Sequence, residues 1–424
     1  MSSLLIDICS RYAILAGMDA LKLVVVFALI VLALRKRVSV AVSLFGAGVV
    51  TALLYGVNLS ALLAGYWELL KSERFISLTS VIVLITALGQ LLQELHFLDK
   101  LTDACRGLPG GNKTAVALLP PLVGLMPMPG GSLLSAPLVD NVLGQGGYPA
   151  EFRTASNYWF RHLVEFFWPI YPGIILTEAI TGMPIGSVAL MQMPMSLVMI
   201  ALGMFFYIRY VGNDGLGHSE PLRALGGILK TIWPIPLAIA IYGILRIDLA
   251  LAVLAAIVVL ILVSRPSWKS LLTAAKKGLS YKLIFLIFGT LSFQTALELS
   301  GAIGSIPRLS LQLNLPEELV IFLVCFAAGI LTGMVAAFVA LGYTLLAGFL
   351  YQPEIVPAHI LLAYLSGYLG MILSPTHLCL ILTNEYFNSD LLKVYRKLAL
   401  PVFLLALFGF LLYLSPWPDF FFPL

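Results

Sequence analysis

Polar residues beside proline and glycine interruptions, within long apolar segments, are the groups in this sequence best suited to chemistry. Two such interruptions are MPMPGGS at 126–132 and LSPTH at 373–377. A helix that restarts at a break inside an apolar medium points the partial positive charge and free N–H groups of its N-terminus inward. The sequence predicts that Ser374 is an N-cap with Pro375 as the first helical residue, and that Ser132 caps a second half-helix. Several converging N-termini favour an anion.

Two further interruptions, WPIYPG at 168–173 and TGM at 332–334, occupy the places that match LSPTH and MPMPGGS in the other half of the chain. A single proline or glycine of this kind is ordinarily a kink or a point of close helix packing. Four breaks at matched positions favour a binding site, since irregular backbone at membrane depth is tolerated where it lines a cavity. The predicted substrate-binding residues are Pro129, Gly130, Gly131, Ser132, Tyr171, Thr332, Gly333, Ser374, Thr376 and His377.

Ionisable and amide side chains in the apolar segments are candidates for a coupling-ion site, because a charge in hydrocarbon is costly. The candidates are Asp140, Asn141, Gln90 and Gln294, and the expected ion is H⁺ or Na⁺. Asp140 is explained equally well as an interfacial helix cap, and the glutamines as hydrogen bonds between helices. His377 also has two interpretations: it donates to the anion or carries a proton, or it is bonded to a neighbouring carbonyl.

The segment around Arg161 has a polar pattern of its own. Arg161 and Glu165 are spaced i,i+4, which favours an ion pair at the membrane interface over direct contact of Arg161 with a substrate. His162 and Glu165 have an i,i+3 spacing compatible with metal binding, but no second His/Glu pair matches them, so we expect no metal site and no cofactor. The cysteines lack metal-ligand spacing and are expected to be inert core residues: Cys9, Cys105, Cys325 and Cys379.

The elements that position these groups follow from the composition. Of 424 residues, 60% are hydrophobic and 11% charged, and the mean hydropathy is +1.00, which excludes a soluble protein. A net charge of +4 makes nucleic acid a poor partner. The N-terminus lacks the features of a removable signal, so the first span is expected to be retained. HExxH, Walker A, GxGxxG and GxSxG motifs are missing, so we do not expect an enzyme.

Apolar runs long enough to cross a bilayer predict ten spans. Two other apolar stretches, 114–145 and 319–350, are too short to cross twice, since two crossings need about 40 residues. Each has a glycine-containing interruption near its centre, so we predict two re-entrant hairpins. The ten predicted spans are Met18–Leu34, Val38–Leu54, Phe75–Leu95, Ala155–Thr181, Ser187–Tyr207, Gly226–Leu245, Leu249–Ser264, Leu283–Leu299, His359–Thr383 and Leu398–Leu414.

An internal repeat relates the two halves of the chain. The pattern Thr-x3-Gln-x3-Glu occurs at 86–94 and again at 290–298, and the same offset carries the first hairpin onto the second. The sequence therefore predicts an all-α polytopic membrane protein made of two five-span repeats, 1–210 and 211–424. Because five is an odd number, the second repeat is inverted relative to the first.

The distribution of Lys and Arg supports this topology. If Arg35, Lys36 and Arg37 lie in the cytoplasm, most other basic residues also lie inside, as the positive-inside rule requires. Lys22 then falls within the first span. The basic residues placed outside are Arg11, Lys71, Arg74, Arg246 and Arg308.

The runs GLMPMPGGSLLSAPLVDNVL at 124–143 and NYWFRHLVEFFWPIYPGIIL at 157–176 resemble an uncharacterised family of prokaryotic integral membrane proteins. That family is related to the gluconate permeases and belongs to the ion transporter superfamily. The resemblance implies a homodimer in the cytoplasmic membrane, with a static scaffold and a transport domain that moves as an elevator. The hairpin tips here lack the paired Ser-Asn-Thr motifs of the sodium-coupled dicarboxylate branch of that superfamily. Protons are therefore a reasonable coupling ion.

These patterns favour a secondary active transporter of a small anion, a carboxylate or sugar acid, working by alternating access and coupled to an ion. Besides the anion, the expected partners are membrane lipid and a second copy of the chain. A passive anion channel or a lipid-phosphate flippase on the same scaffold is the alternative. An intramembrane enzyme that uses Asp140 and His377 as an acid/base pair is a third reading.

Overall fold

The computed structural model describes residues 21–97, 100–101, 104, 111–125, 131–144, 146–212 and 221–421. Within these residues all regular secondary structure is helical. The first half contains α1 (21–35), α2 (Val40–Leu54), α3 (Leu59–Lys71), α4 (Glu73–Glu94), α5 (Gly111–Gly124), α6 (Gly131–Leu143), α7 (Ala150–Arg161), α8 (Pro172–Thr181) and α9 (Ile185–Phe206).

The second half also consists of helices of varied length. It contains α10 (Pro221–Ile232), α11 (Pro234–Leu245), α12 (Leu249–Ser264), α13 (Trp268–Gly278), α14 (Tyr281–Ser300), α15 (Ser305–Gln312), α16 (Glu317–Thr332), α17 (Val335–Phe338), α18 (Ala347–Leu350), α19 (Pro357–Ile372), α20 (Leu378–Phe387) and α21 (Leu391–Tyr413). A π-helical turn, Val339–Tyr343, follows α17 directly.

Several of these helices can cross a bilayer. In the described part of the chain, four segments are long and apolar enough, and α10 with α11, bent by 66°, counts as a fifth if the two helices form one span. Pro234 is the first residue of α11 and lies at the bend, where its lack of an N–H removes one backbone hydrogen bond that would otherwise join the two helices. Shorter apolar helices such as α2, α8, α12, α19 and α20 add to the hydrophobic body. The chain is thus a helical, multi-pass membrane protein.

The predicted spans 155–181 and 359–383 are both broken helices. The first consists of α7, a 3-10 turn at Leu163–Phe166 and α8. The second consists of α19 and α20, with irregular backbone at 373–377. Both breaks fall at the interruptions noted in the sequence. Three amphipathic helices that the span prediction did not include are α3, α13 and α15.

Each predicted hairpin region contains two helical arms. In the first region α5 packs against α6, and the connecting tip at 126–130 lies outside the described residues. In the second region α16 ends at Gly333, which has a φ of +60°, and α17 begins at Val335. A left-handed residue is the usual way to end a helix, and glycine adopts it without a steric penalty.

The second hairpin is packed closely against the second broken helix. A methyl group at Gly329 of α16 would lie 2.1 Å from the carbonyl O of Gly367 in α19, and one at Gly370 would lie 2.2 Å from that of Phe326. Glycine is therefore required on both helices, as is common where membrane helices approach one another. This contact fixes the break at 373–377 against the tip at Gly333.

Candidate functional site

A cavity of about 180 Å³ lies where the two broken helices meet the tip of the second hairpin. Both half-helices, α8 and α20, begin in its wall, at Pro172 and Leu378. Most of its polar groups lie at or beside the breaks, and its apolar wall comes mainly from α4, α8 and the residues that follow Gly333. The polar or irregular lining residues are Thr86, Arg161, Glu165, Tyr171, Gly333, His377 and Cys379, and the apolar ones include Ile82, Ile85, Ile175 and Val335.

The second half-helix begins three residues later than predicted. Tyr171 occupies the N-cap position of α8, but for α20 this position belongs to His377, not Ser374. The hydroxyl of Ser374 donates to the carbonyl O of Ile330 at 2.6 Å and accepts the N–H of Thr376 at 3.2 Å. Ser374 therefore closes a turn ahead of the helix and ties the break to α16.

Ser132 was also wrongly predicted to be a helix cap. It lies within the first turn of α6, and its hydroxyl donates to the carbonyl O of Cys379 at 2.9 Å. The amide of Asn157 donates to the carbonyl O of Ser132 at 3.1 Å, and Ser135 donates to the side-chain O of Asn157 at 2.6 Å. The returning arm of the first hairpin is thus joined to both broken helices just behind the cavity wall.

Buried tyrosines donate hydrogen bonds to backbone carbonyls at the two breaks; of these carbonyls, that of His162 also accepts the N–H of Glu165 at 3.3 Å. Each tyrosine lies on one broken helix and donates to the other, so the exchange is reciprocal. An unpaired carbonyl at this depth would cost about 1–3 kcal/mol, because water is not available to replace the lost bond. The three bonds are Tyr158 Oη to Ile372 O at 2.9 Å, Tyr364 Oη to Glu165 O at 2.8 Å and Tyr368 Oη to His162 O at 2.9 Å.

Arg161 and Glu165 do pair, but inside the protein and not at the membrane interface as expected. Arg161 is 1% exposed and Glu165 is 4% exposed. Arg161 Nη1 lies 3.7 Å from Glu165 Oε1, and the hydroxyl of Tyr171 donates to the same oxygen at 2.6 Å. Among the described residues, Arg161 Nε and Glu165 Oε2 have no hydrogen-bond partner. Arg161, which lines the cavity, therefore has a guanidinium N–H without a partner among the described residues.

Two histidines and a cysteine form a second polar group in the wall, which we call the His-His-Cys cluster (His162, His377 and Cys379). His162 Nε2 lies 3.0 Å from His377 Nε2. The ligand atoms of the three side chains all lie within 4.8 Å of one another. The sequence relates His162 only to Glu165 and predicts that Cys379 is inert. It does not reveal the cluster, because His162 lies in the first half of the chain, whereas His377 and Cys379 lie in the second. The run His-Leu-Cys at 377–379 was the sequence feature that could have indicated two of its three members.

The other predicted substrate contacts have different positions. Tyr171, Gly333 and His377 line the cavity, whereas Ser132 and Ser374 lie behind its wall. The remaining five do not contribute a described side chain to the cavity. Pro129 and Gly130 lie outside the described residues, Gly131 begins α6, Thr332 donates to Ala328 O of its own helix, and Thr376 is exposed.

The four coupling-ion candidates are absent from the described lining of the cavity. Asp140 forms an ion pair with Arg153, and Asn141 is exposed. Gln294 accepts a hydrogen bond from Arg74 at 2.7 Å. Gln90 has a buried side-chain oxygen with no partner among the described residues. Asp140 is thus explained by a local ion pair rather than by a site at the breaks.

A second, larger cavity of about 740 Å³ lies next to the first, and Ile175 lines both. Its charged and polar lining residues are Arg74, Glu178, Arg246, Asp248, Gln294 and Glu298. Arg74 and Arg246 are two of the residues that the charge distribution places outside. The lining of this cavity is more polar than that of the first, so it is the more readily hydrated of the two.

The fold and site together define a multi-pass helical membrane protein with a mostly apolar cavity between two broken helices, bordered by the buried Arg161 and Glu165. A family model, Protein of unknown function (DUF401), matches residues 20–415. The chain therefore belongs to this family, as the resemblance to an uncharacterised membrane protein family indicated. No curated protein matches the chain.

The tyrosine bonds yield a test of how the breaks are stabilised. We expect Tyr364→Phe to lower the free energy of unfolding by about 1–3 kcal/mol, because the carbonyl of Glu165 loses its donor. Tyr395→Phe is the matched control, since the Tyr395 hydroxyl is buried and has no partner among the described residues. Thermal unfolding in detergent measures both. Equal midpoints for the two variants would contradict the assigned role of Tyr364.

The buried ion pair yields a second prediction. Glu165→Gln leaves the charge of Arg161 uncompensated, so we expect a loss of about 3–5 kcal/mol, with a similar loss for Arg161→Met. The double variant Arg161→Met, Glu165→Leu removes both charges and should recover most of the stability. Thermal unfolding of the three variants measures the coupling. Additive losses in the double variant would show that the two charges do not stabilise each other.

Proposed function

We propose that this protein is a secondary active transporter of a small anion, a carboxylate or sugar acid, which works by alternating access and is coupled to H⁺ or Na⁺. One observation carries the proposal: the N-termini of α8 and α20 begin in the wall of one cavity beside the buried guanidinium of Arg161. Helix N-termini and an arginine both attract negative charge.

The size and lining of the cavity narrow the class of anion. Its volume of about 180 Å³ is small beside the roughly 300–1,000 Å³ of sites for drug-sized ligands. Arg161 Nε offers a donor, and Glu165 already balances most of the arginine charge, so a single carboxylate fits better than a dianion. Ile82, Ile175 and Leu283 suit a short apolar tail. We therefore favour a short monocarboxylate over a polyhydroxylated sugar acid.

The arrangement of helices supports alternating access. Two five-span inverted repeats of the chain, each with a re-entrant hairpin and a broken helix, would place the site at their interface near the middle of the membrane. Two observations support this arrangement: the regions 111–143 and 317–350 each contain two helical arms, and each is followed by a broken helix. The second cavity, with Arg74 and Arg246, would be the outer vestibule. An elevator motion in a homodimer, in a prokaryotic cytoplasmic membrane, completes the proposal.

Ligand-induced stabilisation tests which anion binds. The purified protein is heated with short monocarboxylates, dicarboxylates, sugar acids, phosphate or sulfate, with and without sodium and at two pH values. A ligand that binds only the folded state stabilises it, by about 2.7 kcal/mol at one hundred times its Kd. We expect the monocarboxylates to raise the unfolding midpoint most. A shift that requires sodium or low pH would also identify the coupling ion.

Variants at Arg161 and Glu165 test whether the acid that raises the unfolding midpoint binds in the cavity. In Glu165→Gln the bound carboxylate supplies the missing counter-charge, so the same acid should raise the midpoint more than in wild type. The Arg161→Met, Glu165→Leu variant should fold but show no shift. If no anion stabilises the wild type while a lipid phosphate does, the carboxylate proposal is wrong and a flippase is favoured.

Uptake into proteoliposomes tests active transport. With an imposed pH or sodium gradient, the acid that stabilises the protein should accumulate inside above its equilibrium concentration, because coupling links its movement to that of the ion. Liposomes without protein and liposomes without a gradient are the controls. Uptake that rises only to equilibrium under both gradients would identify a passive channel instead.

A further inference from the structure

The protonation state of the two histidines in the His-His-Cys cluster is fixed by their backbone partners. His162 Nδ1 lies 2.6 Å from the carbonyl O of Tyr158, and His377 Nδ1 lies 2.6 Å from that of Gly333. A carbonyl oxygen can only accept, so each Nδ1 must carry the hydrogen. In the neutral rings both Nε2 atoms are then acceptors.

Those two acceptor atoms face each other across 3.0 Å. Two nitrogen lone pairs at this distance repel, and neither ring can turn to donate without losing its bond to a carbonyl. The contact is favourable only when an electron-pair acceptor lies between or beside the two nitrogens. A proton or a metal ion can serve, and the rest of the cluster distinguishes the two.

The third member of the cluster favours a metal. The Sγ atom of Cys379 lies within 4.8 Å of both Nε2 atoms, and Glu165 Oε1 lies 3.9 Å from His162 Nε2. A thiolate could also balance the charge of a shared proton, but the convergence of two imidazole nitrogens and one sulfur on a common point is the ligand set of a d10 ion. We propose that His162, His377 and Cys379 bind one Zn²⁺ or Cu⁺ ion in the wall of the cavity.

The geometry requires only small movements. Two imidazole nitrogens bound tetrahedrally at about 2.0–2.1 Å from zinc lie roughly 3.3 Å apart, close to the observed separation. An Nδ1–H donated to a backbone carbonyl is the arrangement that usually orients a metal-bound histidine through Nε2. The Sγ atom needs to approach by about 1 Å to reach its bonding distance of roughly 2.3 Å from zinc.

The ion would join parts of the chain that are far apart in sequence. His162 follows α7 in the first broken helix, and His377 and Cys379 begin α20 in the second. Since His377, Cys379 and Glu165 also line the cavity, a fourth coordination position would face it. Three protein ligands and one open position are typical of zinc sites that bind a further ligand.

Metal analysis and cobalt spectroscopy test the site directly. Protein purified without chelators, with any polyhistidine tag removed, should retain about one zinc or copper ion per chain by mass spectrometry. After the metal is removed, Co²⁺ should produce a thiolate-to-cobalt charge-transfer band and the intense visible bands of tetrahedral cobalt. Competition with a chromophoric Cu⁺ chelator under reducing conditions then distinguishes copper from zinc.

Two cysteine variants provide a matched comparison. Cys379→Ala should lose the charge-transfer band and bind metal at least about 10-fold more weakly, because the thiolate is gone. Cys325→Ala removes a cysteine that is equally buried but lies on α16, with its sulfur against Gly342, and should keep both properties. His377→Gln should weaken binding without abolishing folding.

Two results would overturn the proposal. One is wild-type protein that is folded and monodisperse but retains no zinc or copper and gives no cobalt–thiolate band; the histidines would then share a proton. The other is a Cys379→Ala protein whose band is unchanged. The wild-type spectrum decides the question even if a variant fails to fold. The metal site is independent of the anion, since neither measurement requires a transported substrate.

Discussion

The hydrogen bonds of the backbone at the two helix breaks are the constraint on which the rest of this structure depends. A helix that stops inside the hydrocarbon leaves carbonyl groups that water cannot reach. Here each broken helix supplies the donors that the other needs, through Tyr158 in one direction and Tyr364 and Tyr368 in the other. The two breaks are therefore stable only together, although they lie about 200 residues apart.

Once the breaks are held in this way, their position determines the character of the cavity. The half-helices α8 and α20 direct their N-termini into it, and Arg161 brings a charge that Glu165 and Tyr171 hold in place. The tip at Gly333 covers the same space and accepts the hydrogen bond that orients His377. The proposed anion site and the proposed metal site thus share one wall, and both would depend on the reciprocal tyrosine bonds.

The sequence predicts the all-helical fold class and the places of the breaks. Both depend on local features, namely the length of the apolar segments and the Pro and Gly residues that interrupt them. The sequence could not predict which residues meet across the breaks. Asp140 was interpreted as a coupling-ion site or a helix cap, yet it pairs with Arg153, and His162 meets His377 from the other half of the chain. Such pairs depend on how helices rotate and pack. The late start of α20 has a similar cause, since Ser374 bonds to α16 instead of capping its own helix.

The most direct test of the central claim is the location of a bound anion. Crystals grown with a bromine-substituted short carboxylic acid, at a concentration that saturates its stabilising effect, would reveal bromine by anomalous scattering. This account predicts one peak per chain in the cavity bounded by Arg161, Pro172 and Leu378, with the carboxylate within hydrogen-bonding distance of the guanidinium. A peak in the second cavity beside Arg74 and Arg246, with none between the half-helices, would contradict it.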